Sequence, residues 1–111
     1  MTRLDPSDGY AVLINTFRVA PERAEELMTL LQRATEETIR LQPGFVSANL
    51  HLSEDRTRIV NYAQWRSRAD FEAMLANPAA RGHIGECAKV AASFDPVIFE
   101  LRSSDLAEAV R

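Results

Sequence analysis

Asn61 and Trp65 lie four residues apart in the stretch Ile59-Val60-Asn61-Tyr62-Ala63-Gln64-Trp65, whose β-branched and aromatic content is that of a strand. Residues two and four apart on a strand share a face, so the Asn61 amide, the Ala63 methyl and the Trp65 indole point one way while Val60, Tyr62 and Gln64 point the other. Two polar groups on either side of a small residue could bind a ligand above a low floor. A single buried asparagine can also serve a loop backbone, and a tryptophan at a strand end can be a core plug. Several polar residues on one covered face are harder to explain that way, because each unpartnered buried amide or imidazole costs about 1–3 kcal/mol.

Whether more polar residues join them depends on the preceding strand, Phe45-Val46-Ser47-Ala48-Asn49-Leu50-His51-Leu52, which alternates cleanly. Val46, Ala48, Leu50 and Leu52 share one face; Phe45, Ser47, Asn49 and His51 share the other. An odd hairpin loop, such as three residues with a bulge at Asp55-Arg56-Thr57, sets His51 opposite Asn61 and Asn49 opposite Ala63, whereas an even loop puts them on opposite faces. In the odd register His51, Asn49, Asn61, Trp65 and Asn15 line one pocket with apolar and aromatic walls. That register also leaves the apolar face of Val46, Ala48, Leu50 and Leu52 open to water, which predicts a homodimer with two sheets packed face to face.

Other chemistries find little support. Cys87 is the only cysteine, so no internal disulfide or multi-thiolate metal site is available, and its neighbours Ala88, Val90 and Ala91 mark it as a buried small hydrophobe. His51 and His83 are the only histidines, they lie far apart in sequence, and no HxH or HxxxH spacing occurs, so no metal site is expected. A net charge of −3 with scattered arginines argues against nucleic acid. The opening Met-Thr-Arg-Leu-Asp-Pro-Ser-Asp-Gly lacks the apolar core of a secretory signal, no run suggests a membrane span, and the reading is a cytoplasmic protein.

The elements that must position these residues follow in order. Residues 1–8 read as a polar arm and Gly9 to Val19 as a first strand interrupted by Asn15. A helix is expected over residues 20–42, with Pro21 in its first turn, Glu22, Glu25 and Glu26 at the positive end of the dipole, and a stripe of Leu27, Leu31, Ala34, Thr38 and Leu41. Pro43-Gly44 ends it and begins the hairpin, whose polar turn is Glu54-Asp55-Arg56-Thr57. Ser67 is the expected N-cap of a second helix, Asn77-Pro78 interrupts before a third helical segment, and Asp95-Pro96 leads into a last strand over residues 97–101, followed by a charged tail, 103–111. Strand, helix, strand, strand, helices, strand is the order of a ferredoxin-like α+β sandwich, an antiparallel sheet with helices on one face, within a single domain of 111 residues.

Through Pro43-Gly44-Phe45, His51, Asn61-Tyr62-Ala63-Gln64-Trp65 and Ser67 the hairpin and the start of the second helix resemble the antibiotic biosynthesis monooxygenase family, and within it the cofactor-free oxygenases that convert polyketide anthrones and related phenols to quinones. The resemblance implies a dimeric αβ-barrel, a pocket between sheet and helices, and no flavin, haem or metal. It also implies a small aromatic substrate and O2, with the substrate supplying its own chemistry: an acidic methylene loses a proton, the enolate gives an electron to dioxygen, and the peroxide formed loses water. Asn61 and Trp65 would then donate N–H groups to the anion or the peroxide, with His51 as a possible acid-base group.

The likeness has gaps. Phe71 stands where that group has a tyrosine, and a pocket arginine of the group falls at Gly85, leaving Arg81 as the nearest substitute. The haem-degrading branch matches at Asn15, but its helix tryptophan falls at Met74 and its histidine ligand at Ile84, one past His83. A non-catalytic dimeric binding or stress module is the remaining alternative.

Overall fold

Ala11–Arg18 form β1, and a 3₁₀ turn at Pro21–Arg23 leads into α1, Ala24–Glu37. The computed structural model describes residues 1–108, so 109–111 of the expected tail lie outside the described residues. Then come β2 (Phe45–Leu52), β3 (Arg58–Trp65), α2 (Arg68–Ala76), α3 (Pro78–Val90) and β4 (Ser93–Glu100). The strands make one antiparallel sheet in the order β2-β3-β1-β4, with the helices on one face, which is the ferredoxin-like sandwich expected. No helix of the described residues is long and apolar enough to cross a membrane.

Local chemistry accounts for most boundaries. The Ser67 hydroxyl accepts from Asp70 N–H at the start of α2, and the Asn77 side chain accepts from the N–H groups of Ala79 and Ala80 at the start of α3, with Pro78 in the first turn. The expected long first helix is shorter. Thr38 leaves helical geometry at φ −137°, and a 3₁₀ turn over Ile39–Leu41 follows. Leu27, Leu31, Ala34 and Thr38 are buried as the stripe requires, but the break swings Leu41 outward to 66% exposure, and Ile39 packs against the core instead. The last strand starts four residues early and holds Pro96 inside it, which an edge strand tolerates because it keeps one unpaired side.

The hairpin takes the even register. Ser53 N–H donates to Arg58 carbonyl at 2.9 Å, which closes a four-residue loop of Glu54, Asp55, Arg56 and Thr57. Leu50 therefore faces Asn61 and Ala48 faces Ala63, while Asn49 pairs with Tyr62 and His51 with Val60. His51 and Asn49 thus point away from Asn61, and the apolar face of Ala48, Leu50 and Leu52 lies under the helices rather than open to water. One bulge modifies the pattern. Between Phe45 and Ser47 the register slips by one, so Val46 is the extra residue and Phe45 crosses to the helix-covered face, opposite Trp65.

Asp55 holds the loop in place. Its carboxylate accepts from Thr57 N–H, Thr57 hydroxyl and Ser53 hydroxyl at 3.0, 2.7 and 2.8 Å, while Arg56 takes positive φ. Those bonds, the Thr57 hydroxyl first, lower its pKa from the ordinary 3.8 to about 2. A depressed folded pKa means stability that is present above the ordinary value and lost as pH falls toward 2. Asp55→Ala should therefore lower the urea midpoint at pH 7, and its deficit against the parent should shrink between pH 4 and pH 2 as the parent loses the same bonds.

The outer sheet face carries Val12, Ile14, Val60, Tyr62, Gln64, Val97 and Phe99. The N-terminal arm covers part of it: Gln64 donates to Arg3 carbonyl at 2.7 Å and accepts from Ser47 hydroxyl, and Thr2 hydroxyl donates to the Asn49 side chain at 2.8 Å. Phe99 and Val97 stay 47% and 39% exposed.

Candidate functional site

A cavity of about 140 Å³ lies between the sheet and the helices. Its floor is Leu13, Asn15 and Phe17 of β1, Asn61, Ala63 and Trp65 of β3, Ala48 and Leu50 of β2, and Phe94 and Pro96 of β4; its roof comes from α1, the 3₁₀ turn at Ile39, α2 and α3. The buried core falls into two clusters that both border this space, one around Phe17, Leu31, Ile59 and Cys87, the other around Leu13, Ala63, Trp65, Phe71 and Met74.

Asn15 and Asn61 sit on the seam between the clusters, directly opposite one another across β1 and β3. Their side-chain oxygens are buried and neither has a hydrogen-bond partner. Each such group costs about 1–3 kcal/mol, which a fold built only for stability would avoid with a leucine or valine. Trp65 forms the end wall. It is only 1% exposed and meets Phe45 edge-on at 5.5 Å and 88°, and Phe71 at 6.1 Å and 63°.

The rest of the lining is chemically quiet. Thr35 hydroxyl donates back to Leu31 carbonyl at 3.0 Å. Burial, with the nearby Glu86 charge adding to it, pushes the Cys87 thiol up to about 11, so it stays protonated and un-nucleophilic at neutral pH. Among the described residues no Asp, Glu, His, Lys, Arg or Tyr lines the cavity, and no three or more His, Cys, Asp or Glu side chains converge on a point.

Of the residues singled out from the sequence, the fold brings together Asn15, Asn61, Trp65 and Phe71. It does not bring in His51, which is exposed with Nδ1 3.1 Å from Asn49 carbonyl, or Asn49, whose amide donates to Tyr62 carbonyl at 3.0 Å on the outer face. Arg81 is exposed on α3 and does not line the cavity; Gly85 is exposed as well. His83 pairs with Glu37 at 3.6 Å, while Met74 and Ile84, the positions of the haem-degrading tryptophan and histidine, line the cavity as apolar groups. Ile84 and Cys87 had a legible signal. Ala80, Ile84 and Cys87 recur at four and three residues, which marks the inward stripe of α3. Phe45 had none, since its place depends on the bulge.

A largely apolar cavity with two amide oxygens unsatisfied on its floor, set between a four-stranded antiparallel sheet and its helices, defines a small-molecule site in a ferredoxin-like protein. The chain belongs to the antibiotic biosynthesis monooxygenase family, whose profile matches residues 11–85, and it is a monooxygenase of that family. It is 50% identical over 90 residues to the tetracenomycin-F1 monooxygenase of Streptomyces glaucescens, covering 81% of this chain and 80% of that protein. Among solved structures it is similar to the monooxygenase from the gene ActVA-Orf6 of Streptomyces coelicolor in complex with nanaomycin D, with a TM-score of 0.82, 30% identity, and coverage of 94% and 96% of the two chains. SnoaB, a cofactor-independent oxygenase from Streptomyces nogalater, matches with a TM-score of 0.77, 25% identity, and coverage of 86% and 96%.

Proposed function

We propose that this monooxygenase oxidises a phenolic, anthrone or hydroquinone-type aromatic to a quinone with O2 and without a cofactor. The observation that carries the reading is the pair of unsatisfied amides in a cavity otherwise walled by apolar and aromatic side chains. The relatives act in the same direction: one is named for tetracenomycin F1, one was solved with nanaomycin D, and one is described as a cofactor-independent oxygenase.

The chemistry follows from what the cavity holds. Its only titratable side chain among the described residues is the neutral Cys87 thiol, so the substrate reaches its anion through its own acidity, losing the proton to solvent. Asn61 and the Trp65 indole, both N–H donors, stabilise that anion between apolar walls. The carbanion gives one electron to dioxygen, the two radicals join as a peroxide on carbon, and after protonation the O–O bond breaks. Water leaves with one oxygen atom and the carbonyl keeps the other. Ala63 leaves room for the ring system above the sheet, and Phe71 packs against the Trp65 ring that ends the slot.

Oxygen uptake by metal-stripped protein with an anthrone and a small hydroquinone tests this, with autoxidation subtracted. Quinone should form with no additive, and kcat/KM should rise with pH until the substrate's own pKa, the inflection moving when a more acidic substrate replaces the first. No uptake above the blank would overturn the reading.

The same reading includes a homodimer. The outer sheet face, with Val97 and Phe99 exposed beside Ile14 and Tyr62, is the surface a second copy would cover. Sedimentation should give twice the chain mass at micromolar concentration and Phe99→Glu should shift it to monomer; a monomeric parent would refute the dimer.

A further inference from the structure

We propose that Asp70 is a positioning residue: seated against Gly44 and bonded to Ser67, it sets the angle at which the Trp65 indole meets the cavity. The inference rests on the indole N–H taking part in the oxidation argued above, and it identifies what holds that donor in place.

Three aromatic rings wall one end of the cavity and come from three elements: Phe45 opens β2, Trp65 closes β3 and Phe71 lies in α2. Each ring is the immediate chain neighbour of a residue in one polar knot. Gly44 precedes Phe45, Arg66 follows Trp65 and Asp70 precedes Phe71. Within the knot the Arg66 N–H donates to the Gly44 carbonyl at 2.7 Å, and the Phe71 N–H donates to the Ser67 carbonyl at 3.3 Å. The Ser67 hydroxyl accepts from the Asp70 N–H at 3.1 Å and donates to the Asp70 carboxylate at 3.0 Å. Asp70 also lies directly against Gly44. A Cβ at position 44 would overlap the Asp70 side chain, and Gly44 takes φ +84°, so space and backbone conformation both require glycine there. The approach to the knot is tied down as well: the Phe45 N–H donates to the Gln42 carbonyl at 3.2 Å, and the Gln42 side chain accepts from the Asn77 amide at 3.3 Å, between α2 and α3.

Capping α2 needs none of this contact. The Ser67 oxygen could accept from the N–H of residue 70 whatever side chain stood there. The Asp70 carboxylate adds a contact with the turn that starts β2, so the three backbone segments next to the rings are held as one body. The edge-on packing of Trp65 against Phe45 at 5.5 Å and against Phe71 at 6.1 Å depends on those segments keeping their separation. A donor that must meet an oxyanion is sensitive to such settings, since a misplacement on the order of 1 Å can cost about a hundredfold in rate.

Trp65 is the only tryptophan in the chain, so near-ultraviolet circular dichroism reports how its ring is set. Asp70→Ala should flatten that signal with the far-ultraviolet spectrum unchanged, and should lower kcat for quinone formation about fivefold while KM stays within about twofold. Asp70→Asn, whose amide oxygen can still accept from the Ser67 hydroxyl, should recover most of both. In a Trp65→Phe background Asp70→Ala should change kcat by less than about twofold, because the donor it positions is gone. Should Asp70→Ala fold too poorly to assay, Ser67→Ala frees the same carboxylate and should move signal and rate in the same direction. An Asp70→Ala protein that keeps both the Trp65 signal and kcat, or a substitution that slows the Trp65→Phe enzyme as much as the parent, would overturn the positioning role and leave the oxygenase reading intact. If the parent forms no quinone, or Trp65→Phe alone is as fast as the parent, the indole has no part in the chemistry and the positioning role falls with it.

Discussion

Asn61→Leu is expected to lower kcat/KM for quinone formation at least tenfold, about 1.4 kcal/mol of transition-state stabilisation, and at the same time to raise the urea midpoint. The two effects share one cause. The Asn61 oxygen is buried without a hydrogen-bond partner, so an apolar replacement removes a desolvation cost and adds packing, together of order 1 kcal/mol. The loss appears only when an anion is present to be stabilised. Rate measured beside denaturant unfolding distinguishes the two: a variant that is slower because it is less stable would show that Asn61 is structural.

Trp65→Ala is expected to have the largest effect on stability. The ring is 1% exposed and packed edge-on against Phe45 and Phe71, so its removal opens a void worth about 3–5 kcal/mol against a typical total of 5–15 kcal/mol. Unfolding followed by circular dichroism should show an early, broadened transition, with little activity left. Trp65→Phe keeps most of that packing and deletes only the indole N–H. Its rate should still fall about tenfold with the fold intact, and a Phe variant as active as the parent would remove the indole from the mechanism.

The residues at the heart of this site were legible in the sequence because two periodicities are strict. The four-residue spacing of Asn61 and Trp65 put both on one face whatever the register, and the α1 stripe from Leu27 to Ala34 placed its inward side. His51 and Asn49 depended on loop parity. The polar turn Glu54-Asp55-Arg56-Thr57 has four residues, and that even count by itself turns both side chains to the outer face, whereas gathering the polar residues on one surface requires the odd register. Loop chemistry prevailed because Asp55 accepts three hydrogen bonds within the turn, and because burying Ala48, Leu50 and Leu52 removes more apolar surface from water. The bulge at Val46 and the turn-out at Thr38 left no such mark, since each answers to packing from elsewhere in the chain rather than to its own residues.

The division of the core into two clusters has a dynamic consequence. The cavity along the seam is bordered by Leu31 and Ala34 of α1 and by Ile84 and Cys87 of α3, so a ring system bound there would touch both helices from below. Under the proposed function, a bound ring system would add such contacts, and at a hundred times its dissociation constant it would add about 2.7 kcal/mol to the folded state. Such a substrate would act as a removable piece of the hydrophobic core, and the amide protons of α1 and α3 are expected to exchange more slowly with it in place than after product release.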